Sequence, residues 1–423
     1  MLRRRENSGL IHQQTRWSLR PAIVGVLFGM LAFPASAAKH DKTVAPEPVV
    51  RIPSEPLGYH PLSGFYLMSR SSSSSLDFID DDHLLFTFRV PGLLKRLAEC
   101  QPDDEDQVIR AIVVHLPDGN IIHSAEWRMH DRGRYLWALR DGRFLVRQRD
   151  SLSVVDRSLE LQPFIHSDSP IRLVKLSPDN RLLLVESDLE KHTEEEHKRL
   201  IEYAALTGAS PPREDVQLSI VRIADRSVLM RVRTLNIGDL PLISDGYIEN
   251  LSARGDHWMV RYVPFQGDPA IMADVASSCR PDEEPINADV TFVRICSQRG
   301  DDHLLDAISL AGKRLWSYRL DNHYIWPTSA TAENGRRIAF STLRVSHPVS
   351  AIDPIDDTDL QAQRIDVLDV DTGHLELTQF ATPILSAGQN YALSPDAHRF
   401  AVLRDSAIEI YDLPPEPGSP SGQ

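Results

Sequence analysis

Cysteine is scarce in this sequence. Cys100, Cys279 and Cys296 are the only three in 423 residues, and none stands in a Cys-x-x-Cys pair. That spacing excludes the dithiol oxidoreductase motif and the usual zinc ribbon. No Gly-x-Ser-x-Gly elbow occurs, which argues against a peptidase domain of the α/β-hydrolase type. Beyond Phe33 no apolar run is long enough to span a bilayer. Positive charge is in deficit as well. Lys and Arg number 46 against 60 Asp and Glu, a net charge of −14 at pH 7. An acidic surface repels phosphate backbones, so nucleic acid is excluded as a partner class.

What is present begins with an address. Arg3, Arg4, Arg5, Arg16 and Arg20 precede an apolar run from Ala22 to Phe33, and Ala35-Ser36-Ala37 follows. Positive region, apolar core and small-residue cleavage site, in that order, read as a secretory signal over residues 1–37. No Cys follows the cleavage site, so a lipid anchor is not indicated. Removal of five arginines and one glutamate leaves 41 basic against 59 acidic residues, a mature charge of −18. The expected location is periplasmic or secreted, with no membrane span after cleavage. In an oxidising compartment three cysteines leave at least one unpaired. Cys279 and Cys296 lie close in sequence and are the favoured disulfide. A loop of that length stabilises by roughly 3 kcal/mol in the chain-entropy view.

Two units recur through the rest of the chain. The first is an acidic turn before a short apolar strand. It reads Phe78-Ile-Asp-Asp-Asp-His-Leu-Leu-Phe86, Leu139-Arg-Asp-Gly-Arg-Phe-Leu-Val146, Leu176-Ser-Pro-Asp-Asn-Arg-Leu-Leu-Leu-Val185, Thr331-Ala-Glu-Asn-Gly-Arg-Arg-Ile-Ala-Phe340 and Leu393-Ser-Pro-Asp-Ala-His-Arg-Phe-Ala-Val402. The second is a hairpin, seen at 112–122, 218–229, 307–316 and 365–375, with apolar alternation on both sides of a short turn often rich in Gly and Asp. One of each makes a four-stranded sheet. Laid end to end, the sheets begin near Leu76, Tyr135, Ile171, Leu240, Glu284, Trp326 and Ser386, with the fourth and fifth degenerate. The seventh lacks a fourth strand. Gly64-Phe-Tyr-Leu-Met68 is a spare strand expected to complete it and close the ring.

These turns and hairpins resemble an exported, bacterial, WD40-like seven-bladed β-propeller of the YVTN and quinoprotein-like superfamily. Leu176-Ser-Pro-Asp179 and Leu393-Ser-Pro-Asp396 carry the resemblance most specifically. The Trp-Asp and Gly-His signatures of intracellular WD40 blades are missing. Ala311-Gly-Lys-Arg-Leu-Trp316 is similar to one tryptophan-docking motif of quinoprotein propellers, in a single copy. The expected fold class is therefore all-β, a seven-bladed propeller of four-stranded antiparallel blades closed by an N-terminal strand. It implies a linker over 38–57, a propeller over 58–413 and a disordered Pro-, Gly- and Ser-rich tail over 414–423.

Three long excursions interrupt the repeat, at 91–107, 188–215 and 346–363. Each falls between the second and third strand of its blade, so all three belong to one face of the ring. Loops of that length inside a compact repeat are functional or disordered. The middle one reads as a short helix, with Glu194–Lys198 and Glu195–Arg199 four apart. His192 and His197, five apart, face solvent. The last one holds His347, Asp353, Asp356, Asp357 and Asp359 in a spacing that matches no calcium loop. Connections between blades reach the same face and carry His130, Asp131, Arg132, His166, Asp168, His323, Tyr324, Trp326, Gln389 and Asn390.

Two readings follow. The leading one is a non-enzymatic binding scaffold whose insertion-rich face meets a protein, a peptide or a cell-envelope glycan. Its binding-face candidates are Asp131, Arg132, Asp168, Tyr324, Trp326, His347, Asp353, Asp356, Asp357, Gln389 and Asn390. No cofactor is expected on this reading. The alternative is a metal-dependent lyase or lactonase-like hydrolase, which requires His130, His166 and His323 to converge on one divalent metal or one substrate.

Overall fold

The computed structural model describes residues 46–61, 74–91, 106–130, 133–189, 198, 215–235, 240–253, 256–296, 303–320, 323–325, 328–349, 357–385 and 388–415. Their strands form seven antiparallel sheets arranged as the blades of a β-propeller. A first strand, β1 (Val50–Pro53), precedes the ring. Blade one contains β2 (Ser74–Asp80), β3 (His83–Val90), β4 (Gln107–His115) and β5 (Ile121–Met129). Blade two contains β6 (Leu136–Ala138), β7 (Phe144–Gln148), β8 (Ser151–Val155) and β9 (Gln162–His166). Blade three contains β10 (Ile171–Leu176), β11 (Leu182–Asp188), β12 (Asp215–Arg222) and β13 (Val228–Leu235). Blade four contains β14 (Leu242–Ile243), β15 (Gly246–Ser252), β16 (His257–Pro264) and β17 (Ala270–Ala276). Blade five contains β18 (Asp282–Pro285), β19 (Val290–Cys296), β20 (His303–Ser309) and β21 (Arg314–Leu320). In blade six, β22 (Tyr324–Ile325) and β23 (Ser329–Thr331) share the first position and both pair with β24 (Arg337–Val345). β25 (Leu360–Asp369) and β26 (Leu375–Ala381) complete that sheet. Blade seven contains β27 (Tyr391–Leu393), β28 (Arg399–Arg404) and β29 (Ala407–Asp412).

β1 supplies the fourth strand of blade seven, pairing Val50 with Ile410 and Pro53 with Ala407. The closing strand is thus drawn from residues assigned above to a linker, and the propeller begins before Gly58. Ile52 explains the choice: it is buried and packs with Ile408, Ile410 and Leu116, whereas its neighbours Arg51 and Pro53 are exposed. That is the alternation of a strand with one covered face. Gly64–Met68, expected in this role, lies outside the described residues, as do the signal segment, the end of the tail and all but Lys198 of the helix expected within 188–215.

Both faces of most blades are covered, which is why several strands read as unbroken apolar runs. In β11, Leu182 and Leu184 pack toward blade four, while Leu183 and Val185 pack toward blade two. Seven buried apolar clusters result, one at each seam between neighbouring blades. Trp316 belongs to the seam of blades five and six. Its ring lies edge-on to Phe292 at 5.1 Å, and its Nε1 donates to the Val370 carbonyl at 2.8 Å. Gly373, with φ of +69°, lets the next hairpin pass over that ring, where a Cβ would stand 2.6 Å from it. The motif that resembles a docking tryptophan is therefore seam packing.

The two Leu-Ser-Pro-Asp turns share one local cause. Ser177 Oγ donates to Asp179 Oδ1 at 2.7 Å and accepts from the Leu182 amide at 3.0 Å, while the Arg181 amide donates to Asp179 Oδ1. Ser394 and Asp396 repeat this geometry with the amides of Arg399 and His398. Asn180 and Ala397, each following the Asp, adopt φ of +55° and +65°. Asp side chains that accept from backbone two residues on are turn formers.

Candidate functional site

In each blade the inner strand runs toward the acidic turns and the second strand returns. The second-to-third connections therefore share a face with the connections between blades. β3 stops at Val90 and β4 starts at Gln107; β11 stops at Asp188 and β12 starts at Asp215; β24 stops at Val345 and β25 starts at Leu360. The three longest second-to-third connections leave and rejoin the ring on this one face.

The structure disperses the candidate residues over this face. His130 follows the outermost strand of blade one, where its Nδ1 meets Asp106 Oδ1 at 2.9 Å. The same carboxylate pairs with Arg128 at 2.5 Å. His166 ends the outermost strand of blade two and is exposed, with Asp168 exposed two residues on. His323 lies beside the inner strand of blade six, with its Nδ1 at 3.4 Å from the Val345 carbonyl. These three imidazoles belong to two outer strands and one inner strand, and each has its own surroundings. Among the described residues no three His, Cys, Asp or Glu side chains group as metal ligands. His347 is exposed and approaches Asp359 at 3.5 Å. Tyr324 is half-buried and packs in the seam between blades five and six. Asp131, Arg132, Trp326, Asp353 and Asp356 lie outside the described residues, as does the Asp357 side chain.

Gln389 and Asn390 do not line this face; both are buried. Gln389 Nε2 donates to Asp77 Oδ1 and to the Leu76 carbonyl, each at 3.2 Å, joining blade seven to blade one. Asn390 Nδ2 donates to Gln363 Oε1 at 3.0 Å and to the Pro383 carbonyl at 2.8 Å. Polar residues in the middle of a ring are drawn inward, because the ends of neighbouring inner strands must satisfy one another's backbone groups. Cys279 and Cys296 form a disulfide. It ties the connection after β17 to the end of β19, across blades four and five on the same face.

The residues that do converge line the central channel, and of them the sequence reading named only Gln389 as a candidate contact. Two chambers, of about 310 and 240 Å3, share Arg134, Trp137, Leu176, Pro285 and Ser329. The larger adds Asp282, Glu283, Glu284 and Phe340; the smaller adds Asp77, Arg140, Asn180 and Gln389. Arg134 is enclosed by the ring yet open to channel solvent, and it stacks over Trp137 with its guanidinium carbon 5.4 Å from the ring centre. Burial lowers its pKa, while Asp77, Tyr391 and Glu284 act in the other direction. Burial pushes the Asp77 carboxyl up to about 6, against hydrogen bonds from Ser75 and Gln389 and the charge of Arg134. Their one signal in the sequence is position, on or beside the inner strands.

The opposite face holds a third cavity of about 620 Å3 among the acidic turns. Asp80, Asp81, Asp141, Asp156, Glu333 and Asp396 line it, with Arg157 and His123. Burial and the nearby Asp396 raise the pKa of Asp81; burial raises that of Glu333.

No family model matches the chain, and no curated protein sequence matches it. Many solved structures are similar in outline. The C-terminal WD40 domain of Sif2 is 9% identical, with a TM-score of 0.40, over 88% of this chain and 99% of that one. TolB from Acinetobacter baumannii is 12% identical, with a TM-score of 0.37, over 75% and 78%. An acylaminoacyl peptidase from Pyrococcus horikoshii is 9% identical, with a TM-score of 0.44. This chain covers 83% of itself but 54% of that peptidase, about half its length. The chain is a seven-bladed β-propeller by its own seven sheets.

Proposed function

We propose that the protein is an exported binding scaffold without catalytic activity, and that the face bearing the three long connections captures a protein or peptide. The observation that carries this reading is the one-sided departure of those connections from an otherwise regular ring. A rigid scaffold that carries variable loops on one face suits recognition. Asp131, Arg132, Asp168, Trp326, His347, Asp353, Asp356 and Asp357 are the residues assigned to contact. Tyr324, Gln389 and Asn390 are removed from that role, since they pack in a seam or inside the ring. The address-like N-terminus and the disulfide support a site of action outside the cytoplasm. No helix among the described residues is long and apolar enough to cross a membrane.

The test is affinity capture from an envelope extract with wild type and two variants. One variant replaces Trp326 and Asp353, Asp356 and Asp357 with alanine. The other replaces Asp141 and Asp156 on the opposite face. The reading requires loss of a captured polypeptide in the first variant and retention in the second. Retention by a folded first variant, or capture of glycan in place of polypeptide, contradicts it.

A further inference from the structure

We propose that the channel binds a small zwitterion, an α-amino acid, with its carboxylate on Arg134 and its ammonium on Glu284. The first support is the state of Arg134. Its Nε donates to the Leu136 carbonyl at 3.0 Å. Among the described residues its two terminal nitrogens have no acceptor and no ion-pair partner. Asp77, Glu284 and the Tyr391 hydroxyl influence it through space only. The guanidinium thus offers a planar fork of donors to the channel, over the Trp137 ring. That fork matches a carboxylate and makes two parallel charge-assisted bonds with it.

The second support is Glu284. Its Oε1 accepts from Ser329 Oγ, and among the described residues its other oxygen accepts nothing. Arg134 and Glu284 line the same chamber. Of the other charges in that chamber, Arg294 is paired with Asp282, Glu283 accepts from Asn250 Nδ2 at 2.8 Å, and Lys175 adds a further cation to the wall.

Size and charge then narrow the ligand. A chamber of about 310 Å3 stands at the small end of ligand pockets and admits one amino acid. A net anion would satisfy Arg134 and be repelled by Glu284; a net cation would meet the reverse. A ligand carrying both charges as two substituents of one carbon satisfies both. Trp137, Leu176, Leu242 and Phe340 in the same wall give an apolar surface for its side chain. This inference concerns the channel and is independent of the partner-binding face.

Isothermal titration of the full-length mature protein at pH 7.5 provides the test. The probes are L-alanine, L-serine, L-glutamate and L-phenylalanine, each with its carboxamide and its deaminated acid. At least one amino acid should bind, and its carboxamide and deaminated acid should each bind at least about tenfold more weakly. Arg134→Gln and Glu284→Gln should each weaken binding to a similar degree, with far-ultraviolet circular dichroism unchanged. Where a variant does not fold, the comparison of the three ligand forms on wild type decides. Three results overturn the proposal: no heat with any amino acid, a deaminated acid that binds as tightly as its amino acid, or binding untouched by both substitutions in folded protein.

Discussion

At the scale of single residues, the repeat is explained by side chains that hold turns. Ser177 and Ser394 each bridge an Asp and an amide across the turn. Replacement of either by alanine should cost about 1 kcal/mol in urea unfolding, the value of a lost local cap. These positions were legible in the sequence because the interaction spans only a few residues. Gln389 and Asp77 were not, because they are 312 positions apart and meet only when the ring closes. Asp77 also sets a pH dependence. Its folded value of about 6 lies above the ordinary 3.8, so the fold favours its neutral form. The stability from this group is complete below the unfolded value and is lost as pH rises from about 4 through 6, by about 3 kcal/mol. Asp77→Asn should therefore be more stable than wild type at pH 7.5 and close to it at pH 3.5. Equal differences at both pH values in denaturant unfolding would refute this.

At the scale of elements, outer strands and seams follow different rules. In blades one to six the third and fourth strands slip register by one residue, for instance between Val113 and Val114 and between Val367 and Leu368. A bulge twists an outer edge away from further pairing. Blade seven has β1 there instead, in unbroken register with β29. The hairpins were readable from apolar alternation around their turns. The closing strand was misplaced because Gly64–Met68 is more apolar than Val50–Pro53, and apolarity alone does not say which segment reaches the edge of β29. Between blades six and seven, Arg337 is buried with its Nε 2.6 Å from Glu376. Its Nη1 and Nη2 each donate at 2.5 Å, to the carbonyls of Ala397 and Pro414. Arg337→Ala should cost about 3–5 kcal/mol, because it strands Glu376 and two carbonyls. Arg337→Met combined with Glu376→Leu should recover a substantial part, as read by denaturant midpoints.

At the scale of the whole molecule, the ring is uneven. Among the described residues, the seam of blades seven and one gathers sixteen buried apolar residues, from Ile52 to Ile410, whereas that of blades three and four gathers five. At roughly 1.5–3 kcal/mol for each large apolar side chain buried, the ring should open first between blades three and four. Hydrogen exchange should show β14 and β15 exchanging before β3 and β28. The degenerate repeats of blades four and five foreshadowed this weakness; its depth depends on packing across the seam, which one strand's pattern does not report. The two faces are equally unlike. One carries the acidic turns that define the repeat, and the other carries the long connections, on which the functional reading rests. The most direct measurement is the affinity of an isolated captured polypeptide for wild type and for a variant with 92–105, 190–214 and 350–356 cut to short turns. The account predicts a loss of at least about a hundredfold with an unchanged melting temperature, since contact loops hold the binding energy. Unaltered affinity in a folded, shortened ring would contradict it.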